Sequence, residues 1–543
     1  MSLENNGRLW IAVLLAGLVF LLLVGTASQI GLTWDEPAYI AAARSYMEWF
    51  KEAFQDPSLA FSEKGIETAW MVNNEHPPLN KIWSGLIFSL SQHWTDNLTA
   101  HRMGNMLLVA VLAGLIYFWM AKDFGWIAGL AAVAALISMP RFFFHAHLAA
   151  LDVPAAVSVF ITTFAFWKML NKPFWTWGLL LGLIWGLALA TKINAVFIPL
   201  VFGLWWLIFQ RDRRTLLRLV IMGLTAIPVF LLVWPWLYTQ TLARFVGYLL
   251  FVTSEHWLIG QYYLGQFFMP PPWHFSFVML WAVMPLGLTL LYLLGVLRTL
   301  GKKEERALGG LLILSALVPM LALASGKTLV YDNERLMMVS FPFLACLAGV
   351  GFKWLFICWQ SFAERFSRPI TRTLGLTLLI GLFLGPQVVS MMRLYPHLLS
   401  YYGESVGGLP GATRMGLETT YWCETYTLAL PILNEQAEIG DKIWADPWSH
   451  DVLIYYQTQG RLREDLVILA PAHVVSILGP GAPDPVVKPM GVADWYLFQH
   501  RQTSLGPELD TNVIMKTLSN RTAVYEYAYD GVPVFTLYQT AKK

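Results

Sequence analysis

The chain has 543 residues, 56% of them hydrophobic and 13% charged, with a formal net charge of +2. Soluble globular proteins carry about 25% charged residues, so this deficit, with apolar runs of spanning length, indicates an integral membrane protein in a lipid bilayer. The near-neutral balance argues against a nucleic-acid partner, which needs a basic patch, and Cys346, Cys358 and Cys423 form neither a disulfide framework nor a zinc pattern.

Apolar runs occur at about 9–30, 103–121, 125–143, 153–170, 174–191, 193–209, 216–238, 275–297, 307–324, 336–357 and 373–392. The pattern predicts a polytopic α-helical membrane protein of about 11 transmembrane helices. The first run follows Arg8 but exceeds a signal-peptide core, so it reads as a retained helix. The split between 174–191 and 193–209 is the least marked boundary.

The connections alternate in character. Those holding Lys122, Lys168 and Lys172, Arg211 to Arg214, Lys302 and Lys303, and Arg365, Arg368 and Arg372 are short and basic. By the positive-inside rule they face the cytoplasm, together with Arg8 and the N-terminus. The longer, acid-richer connections then lie outside. The first outer loop, 31–102, holds a helix-like stretch at Ala38–Gln55 and a short apolar one at Leu79–Leu90, which is expected to lie along the membrane face. Residues 1–394 form the expected membrane domain.

From Tyr395 the spanning runs stop. Residues 395–543 read as an extracytoplasmic α/β domain. Strands are expected at Lys442–Ala445, Leu466–Leu469 and Trp495–Phe498, and helices at Tyr421–Gln436 and Ser449–Gln457. Ala523–Tyr529 and Val532–Tyr538, joined at Asp530-Gly531, predict a hairpin.

Chemistry-bearing residues gather in the outer connections. Asp35 and Glu36 follow the first span, and neighbours on a helix point about 100° apart, so both cannot serve one atom. Asn74-Glu75-His76-Pro77-Pro78 follows in the same loop, where two prolines fix an extended backbone. Asp152 starts a later helix after Arg141 and the pair His145 and His147, and helix capping is its plainer role. Lys192 interrupts apolar sequence. A snorkelling lysine is the bland reading, and a functional cation the sharper one. Arg335, in Asp332-Asn333-Glu334-Arg335, reads equally as a partner of Glu334.

In order, these stretches resemble the GT-C superfamily of membrane glycosyltransferases, in the branch of protein O-mannosyltransferases and lipid A aminoarabinose transferases. Trp34-Asp35-Glu36-Pro37-Ala38-Tyr39 resembles that family's first-loop acidic motif. Glu75-His76-Pro77-Pro78, Leu151-Asp152-Val153-Pro154, Thr191-Lys192, Glu255-His256 and Glu334-Arg335 are similar to its later motifs. Aminoarabinose transferases carry lysine where His76 stands, and protein O-mannosyltransferases carry a different outer module. The resemblance implies inverting sugar transfer at the outer face of a bacterial or archaeal plasma membrane. The donor would be a polyprenyl-phosphate-linked sugar and the acceptor a hydroxyl of a glycan, lipid or protein. It implies Asp35, Glu36, Glu75 and Asp152 as the catalytic set, with Asp35 the base. Lys192, Arg335 and Arg141 would bind the donor phosphate, and Glu75 with His256 would hold a divalent metal. A lipid-linked glycan ligase or oligosaccharyltransferase, and a lipid or sugar transporter, are the competing readings.

Overall fold

The computed structural model describes residues 2–255, 260–326, 330–364, 370–445, 449–470, 486–488, 490–505, 516–519 and 521–540. The expected Glu255-His256 motif, and with it His256, falls partly outside them.

The chain is a polytopic helical protein. Among the described residues, seven helices are long and apolar enough to cross a membrane, and two bent pairs raise the total to nine. The bent pairs are Phe275–Val283 with Leu286–Gly301, at 117°, and Thr373–Phe383 with Gly385–Leu394, at 45°. Of the eleven expected runs, those at 125–143 and 153–170 are not among these nine. The run at 125–143 yields a helix of only 12 residues, Trp126–Ile137. Met139 adopts an extended conformation before Pro140, a position proline disfavours for helix. The helix Asp152–Met169 has 18 residues but carries Asp152 and Lys168 near its ends. Its length equals that of Phe174–Thr191 and Arg306–Leu323, which are among the seven, so the two charges and not its length set it apart. The split at Lys192 is present: the residue is extended, at φ −159° and ψ 145°, and ends the helix Phe174–Thr191.

The connection 31–102 is largely helical. Glu36–Gln55 starts at the expected place, with Pro37 in its first turn, where its missing N–H costs nothing. Asp35 stands at the N-cap yet makes no capping bond, so its carboxylate is available for other contacts. A helix, Leu79–Ser91, forms over the expected short apolar stretch. Glu63–Trp70, capped by Ser62, was not legible as a separate element.

A short hairpin, β1 (Gln261–Tyr263) and β2 (Gln266–Phe268), lies in the connection before the bent pair that starts at Phe275. The C-terminal part builds a six-stranded sheet from β3 (Lys442–Ala445), β4 (Val467–Ala470), β5 (Val486–Val487), β6 (Trp495–Gln499), β7 (Arg521–Tyr529) and β8 (Val532–Thr540). Its order is β5-β4-β3-β6-β8-β7. The strands from β5 to β6 pair parallel, whereas β6–β8 and β8–β7 pair antiparallel. Asp530 and Gly531 turn the β7–β8 hairpin with φ of +47° and +78°, the left-handed pair this turn requires.

The sheet shares its core with the membrane domain. Leu32, Ile40, Leu98 and Ala149 pack into one apolar cluster with Ile443, Tyr456, Trp495 and Leu537. The connections holding these residues and the C-terminal part therefore bury a common surface, and the chemistry-bearing residues lie beside it.

Candidate active site

Four elements deliver one cluster of charges. Asp35 sits at the start of Glu36–Gln55, and Asp152 at the start of Asp152–Met169. Lys192 lies at the break after Thr191, and Arg335 opens the helical stretch that continues to Ala363.

Arg335 is the hub. Its Nη2 donates to Asp35 Oδ2, its Nε to Asp152 Oδ2 at 3.1 Å, and its Nη1 to Asp332 Oδ2 at 2.8 Å. The guanidinium lies 4.4 Å from the Trp422 ring centroid and 5.4 Å from that of Tyr331. A guanidinium has five N–H donors in a planar fork, so three are engaged and two remain. The other oxygen of Asp152 accepts from Lys192 Nζ at 2.5 Å, and an ammonium has three donors. Asp332 also accepts from Trp422 Nε1 at 2.9 Å and from Arg501 Nη2 at 2.7 Å.

Three carboxylates thus face three cations, and the cluster is neutral. The Asp35 side chain is 22% exposed, against 2% for Asp152 and 9% for Asp332, so Asp35 is the most exposed of the three carboxylates. Among the described residues, both side-chain bonds to Asp35 go to Oδ2, the second from Tyr39 at 3.3 Å, which leaves Oδ1 for a ligand. Burial pushes the Asp35 carboxyl above the usual range. Arg335 opposes that shift, and the like charges of Asp332 and Asp152 add to it. Burial acts on Asp332 too, but Arg501 and then Arg335 outweigh it and hold that carboxyl low.

The remaining expected residues are placed as follows. Glu36 is fully buried and forked to Arg102, with both bonds at 2.7 Å. It also accepts from the backbone N–H of Thr33 and of Ala149, at 3.0 and 2.8 Å. It ties the loop to two other segments rather than facing the cluster. Arg141 is 1% exposed and donates to Glu334 Oε2 at 2.5 Å and to the Tyr401 carbonyl at 2.8 Å. Glu334 is therefore the partner of Arg141, not of Arg335. Glu75 is half-buried on the Asn73–Pro78 loop and accepts from Asn73 at 3.1 Å. Lys81 clamps that loop by donating to the carbonyls of Asn73 and His76, at 2.7 and 2.8 Å. Burial lowers Lys81 to about 7. His76 is kept neutral by burial, reinforced by Lys81, Lys192 and Arg335.

Among the described residues no group of three His, Cys, Asp or Glu is arranged for a metal ion. Of the expected metal pair, Glu75 is bonded to Asn73 and His256 lies outside the described residues. Asp332, Trp422 and Arg501 were not expected. Asp332 carried a signal, an acid three residues before Arg335. Arg501 carried none, because its contact depends on how the sheet docks.

The expected resemblance extends to both sequence and fold. Residues 75–238 match the family described as dolichyl-phosphate-mannose-protein mannosyltransferase, a segment that includes Glu75, Asp152 and Lys192. The structure is similar to that of ArnT from Cupriavidus metallidurans bound to undecaprenyl phosphate, with a TM-score of 0.51 at 15% identity over 98% of both chains. The apo state of the same protein gives 0.51 at 16% identity, again over 98% of both chains. An oligosaccharyltransferase from Archaeoglobus fulgidus reaches 0.47 at 9% identity, over 96% of this chain and 72% of that one. No curated protein sequence matches the chain.

Proposed function

We propose that this chain, a multi-pass membrane glycosyltransferase of the GT-C type, transfers a sugar from a polyprenyl-phosphate donor to an acceptor hydroxyl. The observation that carries the reading is the Arg335 fork. One guanidinium joins a partly exposed carboxylate, Asp35, to Asp152, which in turn contacts the Lys192 ammonium. A base and two cations with spare donors thereby share one cluster. Glycosyl transfer with a phosphate leaving group needs both. A mannosyltransferase-family segment and an ArnT-like fold support this donor class.

The acceptor oxygen attacks the anomeric carbon and passes its proton to Asp35. The bond from that carbon to the phosphate oxygen breaks, and polyprenyl phosphate leaves with the electron pair. Attack from the face opposite the leaving group inverts the anomeric centre. Lys192 holds the phosphate with its two further N–H donors. Arg335 reaches it with the two it has left, a geometry that suits planar phosphate contacts. Donor binding then draws part of the Arg335 charge from Asp35, which makes the carboxylate more basic when it must accept the proton. Asp152 positions both cations, and Glu75, on its clamped loop, orients the acceptor or the sugar. Glu36 and Arg141 support the site from beneath. The acceptor side is assigned to the outer face of the membrane by the basic inner connections.

The test incubates purified protein with a panel of polyprenyl-phosphate sugars and cell-envelope acceptors, read by mass spectrometry. The expected result is one donor consumed, polyprenyl phosphate released and an acceptor heavier by one sugar residue. A protein that consumes none of the donors overturns the reading.

A further inference from the structure

We infer that the C-terminal part of the chain completes the catalytic corner, with Arg501 acting as a positioning residue for Asp35 through Asp332 and Arg335. The inference rests on the reading of Asp35 as the base.

Arg501 follows β6 by two residues and is buried. The short helical turn Gln502–Leu505 that follows it is tethered by Glu418, which accepts from the backbone N–H of Gln502 and of Thr503 at 2.6 and 2.7 Å. Arg501 is thus fixed from its own side and presents Nη2 to Asp332 Oδ1. The other oxygen of Asp332 carries Arg335 and Trp422. One buried carboxylate joins the membrane part to the C-terminal part.

The backbone around that carboxylate is strained in two places. Asp332 and Asn333 have φ of +53° and +56°, and Trp422 and Cys423 have +69° and +64°. Left-handed conformations in non-glycine residues persist where surrounding contacts over-determine them, and they concentrate at functional sites. Here both strained pairs aim a side chain at the same junction.

The loop bearing Asp35 leans on the same C-terminal segment. The Trp34 N–H donates to the Trp422 carbonyl at 3.2 Å, and the Leu32 N–H to the Tyr456 hydroxyl at 2.7 Å. A Cβ at Gly31 would sit 2.0 Å from the Glu424 carbonyl oxygen, so only glycine allows this approach. Asp35 is therefore seated from below by this backbone and from the side by Arg335.

The consequence is electrostatic. Asp332 divides its charge between Arg501 and Arg335. Without Arg501, Asp332 draws Arg335 toward itself and away from Asp35. The carboxylate of Asp35 then loses part of its one direct countercharge and protonates at higher pH. The other groups around it, Lys192, Asp152, Tyr39 and Tyr331, stay in place. The effect falls on turnover and its pH profile more than on donor affinity, which the Lys192 ammonium also supports.

The test measures kcat and donor KM against pH for the full-length enzyme and for Arg501→Gln, Arg501→Lys and Asp332→Asn. In Arg501→Gln, kcat is expected to fall about tenfold with donor KM changed by less than about twofold. Its acid limb moves up by roughly one pH unit, as for a carboxylate losing part of an opposite charge. Arg501→Lys, which keeps the charge, restores most of the limb position. A limb that stays in place in Arg501→Gln overturns the proposal, whatever happens to kcat. If Arg501→Gln does not accumulate, Asp332→Asn is measured instead: it removes a like charge and leaves Arg335 to Asp35, so its limb is expected to move down, and a limb that is unmoved or moves up overturns the proposal. Asp35→Asn separates this proposal from the reading beneath it. If that variant still turns over, the base assignment fails. If it is inactive while the limb of Arg501→Gln is unmoved, only the positioning role fails.

Discussion

Asp35 and Arg335, 300 positions apart in the chain, are in direct ion contact through Oδ2 and Nη2. The contact carries two opposed effects. Arg335 favours the ionised carboxylate that a base requires. Burial, with Asp332 and Asp152 nearby, makes that carboxylate more ready to take a proton than one in water.

Asp35→Asn keeps the shape and the contact with Tyr39 but cannot accept a proton. Turnover is expected to fall about 10²–10⁴-fold, the range for loss of a general base. Donor binding persists, because Lys192 and Arg335 are untouched. Single-turnover assays with a separate donor-binding measurement check both halves. Residual turnover above about a tenth of wild type removes Asp35 as the base.

Activity is expected to depend on pH through the same carboxyl. Its pKa is raised, so the inactive protonated form extends to higher pH than for an ordinary aspartate, and turnover climbs as pH rises through the shifted value. A kcat profile with no acid limb above the ordinary carboxylate range contradicts this.

Lys192→Ala is expected to weaken donor binding by roughly tenfold or more, since hydrogen bonds to charged groups contribute about 1.5–3 kcal/mol. Its partner Asp152 keeps Arg335. A titration of the purified variant with polyprenyl phosphate reads the effect, and an unchanged dissociation constant takes Lys192 out of the phosphate site.

Glu36→Gln tests the neighbouring acid in its structural role. The change leaves the fully buried Arg102 without its countercharge. Breaking one partner of a buried pair costs about 3–5 kcal/mol. A marked drop in unfolding temperature in detergent is expected, with kcat per folded molecule much less affected. A variant as stable as wild type contradicts the assignment.

The convergence of Asp35, Asp152, Lys192 and Arg335 was open to inference because each is a local anomaly, a charge within or at the end of apolar sequence. The strands and the Asp530-Gly531 hairpin were legible for a similar reason, since alternation and turn chemistry are local. What escaped was set by tertiary placement. Asp332 and Glu334 look equivalent beside Arg335, yet the left-handed pair Asp332-Asn333 turns one toward Arg335 and the other toward Arg141. Arg501 and Trp422 belong to the site only because the C-terminal part docks on the connection 31–102. Within the run at 125–143 apolar composition continues through Met139-Pro140 while the helix does not, a break that composition alone does not reveal.

Glu424 gives a prediction about stability. It is fully buried, accepts from the Thr420 hydroxyl at 3.1 Å and from the Gln499 amide at 3.2 Å, and burial lifts it from 4.5 to about 8. A carboxyl with a raised folded-state pKa binds its proton more tightly when folded. Its stabilising contribution is complete below the unfolded value of 4.5 and is lost as pH rises through about 8. The protein is therefore expected to lose thermal stability between these values, steadily up to about 8. Glu424→Gln supplies a neutral amide of nearly the same shape, which can bond both Thr420 and Gln499. That variant is expected to flatten this part of the profile and to unfold at a higher temperature than wild type above pH 8. Unfolding temperatures from pH 5 to 9 for the two proteins decide it, and parallel curves would show that Glu424 is ionised throughout.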